Sequence, residues 1–406
     1  MRRVVITGAG AVSALGHDWA SVSAALHAGR NRVRAFPEWD AIEGLNTRLG
    51  APITDFETPS HYPRKKLRSM GRVSIMAVRA SEKALEQAGL LDHPGLTDGS
   101  TGVSYGSCMG TPADAPALVR VLTHQTTMDL TASSYLRSMT HTATVNIGLF
   151  FNITGRAITT TSACTSGSQG LGYAYEAIKF GRQNIMVAGG AEEFCVSPVA
   201  VFDTLFATST RNDEPDLTPR PFDKDRDGLV IGEGACTLIL EEYEHAKARG
   251  ATILGEIVGF GTNSDGAHVT EPKAETMARA MSMALEDAGL TPNQIGYVNA
   301  HGTATAKGDV AESRATAEVL GTGMPISSLK SYIGHTLGAC GALEAWISLE
   351  MMREGWFAPT INLDQVDSEC APLDYITGQG RELQCDYVMT NNFAFGGINT
   401  SLIIKR

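Results

Sequence analysis

The sequence lacks paired cysteines, an excess of basic residues and any long apolar run, and each absence excludes a class of protein. Its cysteines show no CxxC spacing, which argues against a zinc site or a disulfide framework and favours a reducing compartment, the cytoplasm. Lys and Arg number 33 against 44 Asp and Glu, and the net charge of −11 argues against nucleic acid as a partner. No apolar run reaches the roughly 20 residues that span a bilayer, so we expect no membrane partner.

What the sequence does contain is a regular mixture of helix-like and strand-like segments. It has 406 residues, of which 43% are hydrophobic, as in large globular proteins with an ample core. Strand patterns such as Arg3–Thr7 alternate with helical patterns such as Met70–Ala88 and Ala342–Arg353 from end to end. This alternation predicts an α/β fold.

A short internal repeat indicates that the fold is duplicated. Ala84–Leu90 reads ALEQAGL, and Ala284–Leu290, 200 positions later, reads ALEDAGL. Each copy ends a predicted helix at a glycine and precedes a predicted strand that ends in a glycine-containing turn. Chance similarity between helix ends is the alternative. The repeat predicts two related halves, residues 1–250 and 251–406, with an insertion at about 110–138 in the first.

Two patterns resemble parts of a nicotinamide-dependent dehydrogenase without completing its fingerprint. Gly8-Ala9-Gly10 follows a predicted strand, but neither a third glycine nor an acidic residue after a second strand completes a dinucleotide turn. Tyr175 and Lys179 lie one turn apart on a predicted helix, and we interpret them as packing and surface residues. A nicotinamide cofactor is therefore not expected.

Cys164 is the first candidate for a catalytic residue. It lies between the β-branched segment 158–161 and a predicted helix that starts near Gln169, which places it at a strand–turn–helix junction. Its small neighbours leave the thiol accessible, and unpaired N–H groups at a helix start favour a thiolate. A buried cysteine that packs as a small hydrophobe is the alternative.

Two histidines follow later strands in glycine-flanked turns. His301 stands in NAHGTAT, and His335 stands in SYIGHTLGA, five residues after Lys330. A single histidine of this kind is more often structural. Functional residues of α/β folds gather at the carboxyl ends of strands, however, so two such histidines beside a strand–Cys–helix turn predict a catalytic site. A glycine-containing loop at 391–399 is placed to close over it.

Longer motifs resemble those of the elongating, malonyl-using β-ketoacyl-acyl-carrier-protein synthases of the thiolase superfamily. They occur in order along nearly the whole chain: VVITGAG at the start, SACTSG around Cys164, VAGGAEE at 187–193, STRNDEP and RPFDKDRDGLVIGEGA at 209–235, NAHGTATAKGD at 299–309, LKSYIGHTLGACGALEA at 329–345 and NNFAFGGIN at 391–399. The resemblance implies an acyltransferase with a thiolase-like fold. In that fold, two duplicated α/β halves contain central mixed sheets with helices in layers.

The resemblance also implies roles for the candidate residues. Cys164 would take the acyl chain from the phosphopantetheine arm of an acyl carrier protein. His301 and His335 would hold the malonyl thioester carbonyl and stabilise the enolate formed by decarboxylation, and Lys330 would support them electrostatically. The backbone N–H groups of Cys164 and Phe395 would form the oxyanion hole.

Six further positions match the family's site, and ordinary packing is the alternative for each. They are Thr303, Thr305, Phe395, Met109, Glu312 and Glu344. The resemblance implies that the two threonines face the pantetheine arm, that the phenylalanine acts as a gate and that the methionine lines the pocket beside it. The two glutamates would belong to a supporting polar network.

The densest basic cluster in this acidic chain is Arg64, Lys65, Lys66 and Arg68. A solvated helix face is the usual meaning of such a run. In the family an equivalent helix docks the acidic acyl carrier protein, and charge complementarity favours that reading here. The resemblance further implies a homodimer, or a heterodimer with a related subunit, and no permanently bound cofactor or metal.

The implied reaction is a decarboxylative Claisen condensation that extends a fatty acid, polyketide or polyene chain. Arg156, Phe206, Ala304 and Ala306 depart from the family pattern, so housekeeping and specialised pathways both stay open. A ketosynthase subunit that works only with a chain-length-factor-like partner is one alternative. A coenzyme A-dependent thiolase is a second alternative, but such an enzyme would need a second reactive cysteine in place of one of the two histidines, His301 or His335.

Overall fold

The computed structural model describes residues 1–406 and contains fifteen strands and thirteen α-helices. The strands are β1 (Val4–Ser13), β2 (Arg34–Ala35), β3 (Leu49–Gly50), β4 (Thr101–Gly106), β5 (Ala157–Thr160), β6 (Ile185–Glu192), β7 (Gly234–Glu242), β8 (Gly255–Ser264), β9 (Tyr297–Asn299), β10 (Pro325–Ser327), β11 (Trp356–Phe357), β12 (Asp374–Tyr375), β13 (Arg381–Glu382), β14 (Tyr387–Phe393) and β15 (Ile398–Lys405). The helices are α1 (Trp19–His27), α2 (Arg64–Leu67), α3 (Arg72–Ala88), α4 (Ala115–His124), α5 (Ala132–Ser138), α6 (Thr142–Phe151), α7 (Ser166–Lys179), α8 (Val196–Asp203), α9 (Tyr243–Ala248), α10 (Ala274–Ala288), α11 (Ala306–Leu320), α12 (Lys330–Ile333) and α13 (Cys340–Glu354). None of these helices combines the length and apolar character needed to cross a bilayer.

Eleven strands form one mixed sheet in the order β12-β10-β9-β14-β15-β8-β1-β7-β6-β4-β5. Its centre is the antiparallel pair of β1 and β8, joined between Val4–Ile6 and Gly255–Ile257. Outward from that pair, each side has one antiparallel strand followed by mutually parallel strands: β7 is followed by three (β6, β4 and β5), and β15 is followed by four (β14, β9, β10 and β12). The predicted duplicated α/β fold is thereby confirmed.

The same close contact between a strand and a helix occurs in both halves. A Cβ added to Gly10 of β1 would lie 2.2 Å from the carbonyl oxygen of Ala80 in α3, and a Cβ on Gly261 of β8 would lie 2.1 Å from that of Ala280 in α10. The two alanines are 200 positions apart, as in the sequence repeat. Only glycine permits this approach, so the GAG motif near the start of the chain is part of a strand that packs on a helix.

A partly buried ion pair joins the two halves. The Lys179 ammonium of α7 pairs with the Asp287 carboxylate of α10 and donates to the Tyr175 hydroxyl at 2.7 Å. That hydroxyl donates to Asp287 at 2.9 Å. Tyr175 is a packing residue as predicted, but the prediction that Lys179 is a surface residue is wrong, because its side chain is 9% exposed. The ammonium stays buried because a carboxylate and a hydroxyl satisfy its hydrogen bonds.

The helices form layers around the sheet. α7 and α13 pack against each other in the largest hydrophobic core, together with residues of the central strands. α3 and α6 pack in a second core, and α10 and α11 pack in a third. Since α7 and α13 each begin beside the carboxyl ends of parallel strands, the residues at their starts meet in the middle of the molecule.

The first half contains extra structure between β4 and α6. α4 and α5 lie there, whereas β9 of the second half leads to α11 through residues 300–305. Exposed apolar side chains cluster in this segment, at Val119, Leu122, Met128 and Tyr135.

We propose that the two halves divide near residue 250, between α9 and β8.

Candidate active site

Cys164 lies on a sharp turn between β5 and α7. The chain leaves β5 at Thr160 and passes through a short 3₁₀ helix, Ala163–Thr165, before α7 begins. Ala163 has φ of +51°, a left-handed conformation that non-glycine residues adopt only where the surroundings impose it. The predicted strand–turn–helix is confirmed, and the thiol is only 3% exposed.

The second half contains the same turn without a functional side chain. Leu337 has φ of +47°, the short 3₁₀ helix is Leu337–Ala339, and α13 follows at once. Gly338 therefore occupies the position that Cys164 holds in the first half. A Cβ on Gly338 would lie 2.7 Å from a carboxylate oxygen of Glu192, which accepts the Gly338 N–H at 3.0 Å.

His335 reaches Cys164 from the residues that precede this second turn. Its Nε2 lies 2.9 Å from the Cys164 Sγ, and its Nδ1 accepts the backbone N–H of Leu337 at 3.1 Å. Because Nδ1 accepts, the proton of the neutral ring is assigned to Nε2, which faces the sulfur. Burial and the nearby Lys330 charge lower the pKa of His335 well below its usual value, so the ring is neutral at pH 7.

His301 follows β9, and its backbone is held by a buried carboxylate. Glu312 accepts the N–H groups of His301 and Gly302, each at 2.7 Å. Burial raises the pKa of Glu312 to about 8, against the opposing effect of those two amides. The imidazole lies at 86° to that of His335, with ring centroids 5.2 Å apart. Burial and Lys330 also lower the pKa of His301 well below its usual value.

A buried ion pair and an amide lie behind the histidines. The Lys330 ammonium donates to the Glu344 carboxylate, and both side chains are fully buried. The Asn392 amide donates to the other oxygen of Glu344 at 2.7 Å and lies 3.5 Å from Nδ1 of His301. A donor at Nδ1 leaves the proton of His301 on Nε2, as in His335.

The surroundings of the Cys164 thiol have opposing effects on its pKa. Burial raises the pKa, whereas the backbone N–H groups of Phe395 and Cys164 and the Lys330 charge lower it, and the net shift is upward. The two amides are those predicted for the oxyanion hole. They lie at the sulfur, close to where the oxygen of a carbonyl group bonded through its carbon to that sulfur would develop negative charge.

A cavity of about 430 Å³ leads from the surface to Cys164. The predicted site residues that line it are Cys164, His301, Thr303, Thr305, Glu312, His335 and Phe395. The two threonine hydroxyls lie 2.9 Å apart, and Phe395 packs edge-to-face on Phe202 near the opening. The structure does not place Met109 among the residues lining this cavity; it is 40% exposed.

The ligand atoms of Cys164, His301 and His335 all lie within 4.8 Å of one another. Such a group can contact one small substrate fragment from three directions. Because this spacing of ligand atoms would also suit a metal ion, the expectation that the protein binds no metal stays a prediction. Chemically, the site presents one sulfur, two neutral imidazole donors and two amide donors at the buried end of this cavity.

The basic cluster is only partly free to meet a partner. Arg64, Lys65 and Arg68 are exposed. Lys66 turns inward, where its ammonium donates to the Phe150 carbonyl and lies 4.8 Å from the centre of that ring. Three of the four predicted docking residues therefore present their charge to solvent.

Sequence reasoning missed two polar residues that hold the site together. Asn392 orients His301, and Glu192 accepts backbone N–H groups from Cys108 at 2.8 Å and from Gly338. Glu192 thus ties the loop after β4 to the turn that follows His335. The only available signal was their place inside two quoted motifs, since Glu192 lies in VAGGAEE and Asn392 lies in NNFAFGGIN.

Comparison with known proteins agrees with this geometry. Residues 1–246 match the family described as "Beta-ketoacyl synthase, N-terminal domain", and residues 254–364 match "Beta-ketoacyl synthase, C-terminal domain". The 3-oxoacyl-[acyl-carrier-protein] synthase 2 of Coxiella burnetii is 36% identical over 100% of this chain and 99% of its own.

Two solved structures are also similar. A β-ketoacyl synthase from Burkholderia phymatum is 63% identical with a TM-score of 0.99, covering 100% of both chains. The ishigamide ketosynthase/chain length factor is 34% identical with a TM-score of 0.91, covering 100% of this chain and 99% of its own. With its Cys–His–His site and duplicated fold, this chain belongs to the β-ketoacyl synthase family.

Proposed function

We propose that the protein elongates carrier-bound acyl chains by decarboxylative condensation with malonyl-acyl-carrier protein. The supporting observation is the contact between the Cys164 sulfur and Nε2 of His335, with His301 on the same buried cavity. The products are a 3-oxoacyl-carrier and CO2. The first half supplies the nucleophile, and the second half supplies both imidazole donors.

In the first step, the acyl chain moves to the protein. The phosphopantetheine arm enters the cavity past the Thr303 and Thr305 hydroxyls, which are placed to hydrogen-bond its amides. The Cys164 sulfur attacks the thioester carbonyl, and the N–H groups of Cys164 and Phe395 hold the oxyanion. The carbon–sulfur bond to the carrier breaks, and the carrier thiolate takes the proton that the cysteine lost.

In the second step, malonyl-carrier enters by the same route. His301 and His335 donate their Nε2 protons in hydrogen bonds to its thioester carbonyl oxygen. The carboxyl group leaves as CO2, and its bonding electrons form an enolate that these donors stabilise. The enolate carbon attacks the Cys164 thioester, and the cysteine leaves as thiolate. Because both rings are neutral at pH 7, they remain intact donors throughout.

The partner that delivers both substrates is an acyl carrier protein, which docks on Arg64, Lys65 and Arg68. Carrier proteins of this family's type are acidic, so exposed cations favour the encounter. We expect the double variant Arg64→Glu/Lys65→Glu to raise KM for acyl-carrier about tenfold. Turnover of a small acyl thioester without the carrier should be unchanged, since neither residue lines the cavity.

A control matched in charge compares the single variant Lys65→Glu on α2 with Lys247→Glu, which reverses one exposed cation on α9. Lys247→Glu should leave both KM values as they are. Equal effects of the α2 and α9 variants would show that only net charge matters and would contradict a docking role for α2. Kinetics at two salt concentrations complete the test, because a docking contribution weakens as salt screens it.

We further propose that the protein forms a dimer through β5. This strand is the outer edge of the eleven-stranded sheet, and Ala157 and Thr159 on it are exposed. An unpaired edge strand is a ready site for pairing with another chain.

The seven free cysteines fit a cytoplasmic location for this assembly.

Reconstitution tests the proposed function and the identity of the partner together. The purified protein is incubated with acyl-carrier and malonyl-carrier, and the 3-oxoacyl-carrier is measured by mass spectrometry. Product from the protein alone supports a homodimer, whereas product only after addition of a related, cysteine-free subunit supports a heterodimer. No product in either mixture, with carriers of several chain lengths, would overturn the proposed function.

A further inference from the structure

Phe206 is an unusual residue for the surface of a folded protein. Its side chain is 86% exposed, and its backbone has φ of +52°. A bulky residue in the left-handed region is strained, and an exposed phenyl ring gains nothing from burial. Phe206 thus combines an unfavourable backbone conformation with an exposed apolar ring, and it lies at the opening of the cavity that leads to Cys164.

The turn that carries Phe206 is held rigidly by a buried carboxylate. Asp203 is 3% exposed and accepts N–H groups from Asn46 at 2.8 Å and Thr47 at 3.1 Å, and the Thr208 hydroxyl at 2.8 Å. The Phe206 N–H donates to the Asp203 carbonyl at 2.9 Å. The ring therefore points outward because the turn is fixed.

Two other apolar side chains flank the same opening. Leu205 is 42% exposed and Val269 is 50% exposed, and both line the cavity together with Phe206. We call these three residues the apolar rim. Apolar side chains that meet at a functional opening mark a surface that a partner covers.

The shape of the cavity identifies the occupant. A cavity of about 430 Å³ is far too small for a folded protein, whereas a thin, flexible phosphopantetheine arm can enter it. If the arm is to reach Cys164, the body of the carrier must stop at the opening, against the apolar rim. The covering partner is then the acyl carrier protein itself.

We propose that the apolar rim contacts an apolar side chain of the acyl carrier protein beside its phosphopantetheine attachment. The proposal rests on the proposed function and adds a short-range contact to the charge attraction of α2. The rim discriminates among carriers, because a carrier with a charged side chain at that place would have to desolvate it against a phenyl ring.

The test compares Phe206→Asn with the natural protein on two forms of one acyl group. Asparagine tolerates the left-handed conformation, so the fold is retained while the apolar surface is lost. We expect KM for acyl-carrier to rise about tenfold and KM for the acyl-N-acetylcysteamine thioester to change by less than about twofold, because this thioester has no carrier body to cover the rim. Phe206→Leu, which keeps an apolar side chain, should restore most of the affinity for the carrier.

Ile253→Ser is the matched control, since Ile253 is 41% exposed but does not line the cavity. It should leave both KM values unchanged. An unchanged KM for acyl-carrier in Phe206→Asn would overturn the rim proposal, and so would equal losses on both substrates, which would make the ring part of the arm's own site. If the natural protein makes no product from either substrate, the proposed function fails instead.

Discussion

Replacement of Cys164 by alanine is expected to lower condensation at least about 10⁴-fold, because removal of a covalent nucleophile disables the whole sequence of steps. Incubation with acyl-carrier should add the acyl mass to the peptide around Cys164 in the natural protein and to no peptide in the variant. Malonyl-carrier should still lose CO2 in the variant, since both imidazole donors are intact.

Neighbouring cysteines are not expected to take over the reaction. The Cys340 thiol donates to the Cys164 carbonyl oxygen at 3.1 Å, and that of Cys108 donates to the Ala163 carbonyl at 3.3 Å. Burial raises the pKa of both thiols well above the usual value, which keeps them protonated and unreactive. Acyl transfer at the natural rate in Cys164→Ala would therefore refute the assignment of the nucleophile. Cys195→Ala, at a half-exposed thiol outside the cavity, serves as the control.

Replacement of His301 by alanine should separate the two halves of the reaction. We expect decarboxylation of malonyl-carrier, and with it condensation, to fall about 10²- to 10³-fold, the effect of losing one donor to an oxyanion. Acyl loading of Cys164 should stay within about tenfold, because the oxyanion amides and the His335 contact are unchanged. Single-turnover loading and CO2 release, measured separately, distinguish these outcomes.

His301→Gln provides a sharper version of the same test. A glutamine amide can donate a hydrogen bond but has no ring to fill the space, so part of the decarboxylation rate should return. If His301→Ala lost loading and decarboxylation equally, the imidazole would act in acyl transfer and the assigned division of roles would be wrong. Thermal unfolding of both variants shows whether either loss is only structural.

Local sequence patterns were sufficient to predict the elements that carry the site. The strand, turn and helix around Cys164 were predicted from β-branched and small residues, and Gly89 marks the end of α3 in a left-handed conformation, as predicted. The first strand was predicted over Arg3–Thr7 but extends to Ser13. Gly8 and Gly10 were expected to follow the strand, but both lie within it and allow β1 to pack closely on α3.

Contacts between distant parts of the chain could not be predicted from one sequence. Asn392 and His301 lie 91 positions apart, and Glu192 and Gly338 lie 146 apart. Nothing local marks one asparagine as the partner of a histidine ring, and only the pairing of β9 with β14 brings them together. The inward turn of Lys66 likewise depends on Phe150, which belongs to another helix.

The two matching turns that begin α7 and α13 bear on how many acyl groups each chain can bind. The Glu192 carboxylate fills the space that a side chain at Gly338 would need, so the proposed mechanism gives each chain one acyl group at a time, on Cys164. In the proposed mechanism, the two copies of this turn differ in their side chains: one copy holds the electrophile, and the other generates the carbanion. A carbon–carbon bond between two thioesters needs one electrophilic carbonyl and one carbanion, and the unequal side chains of the two copies supply these two roles separately.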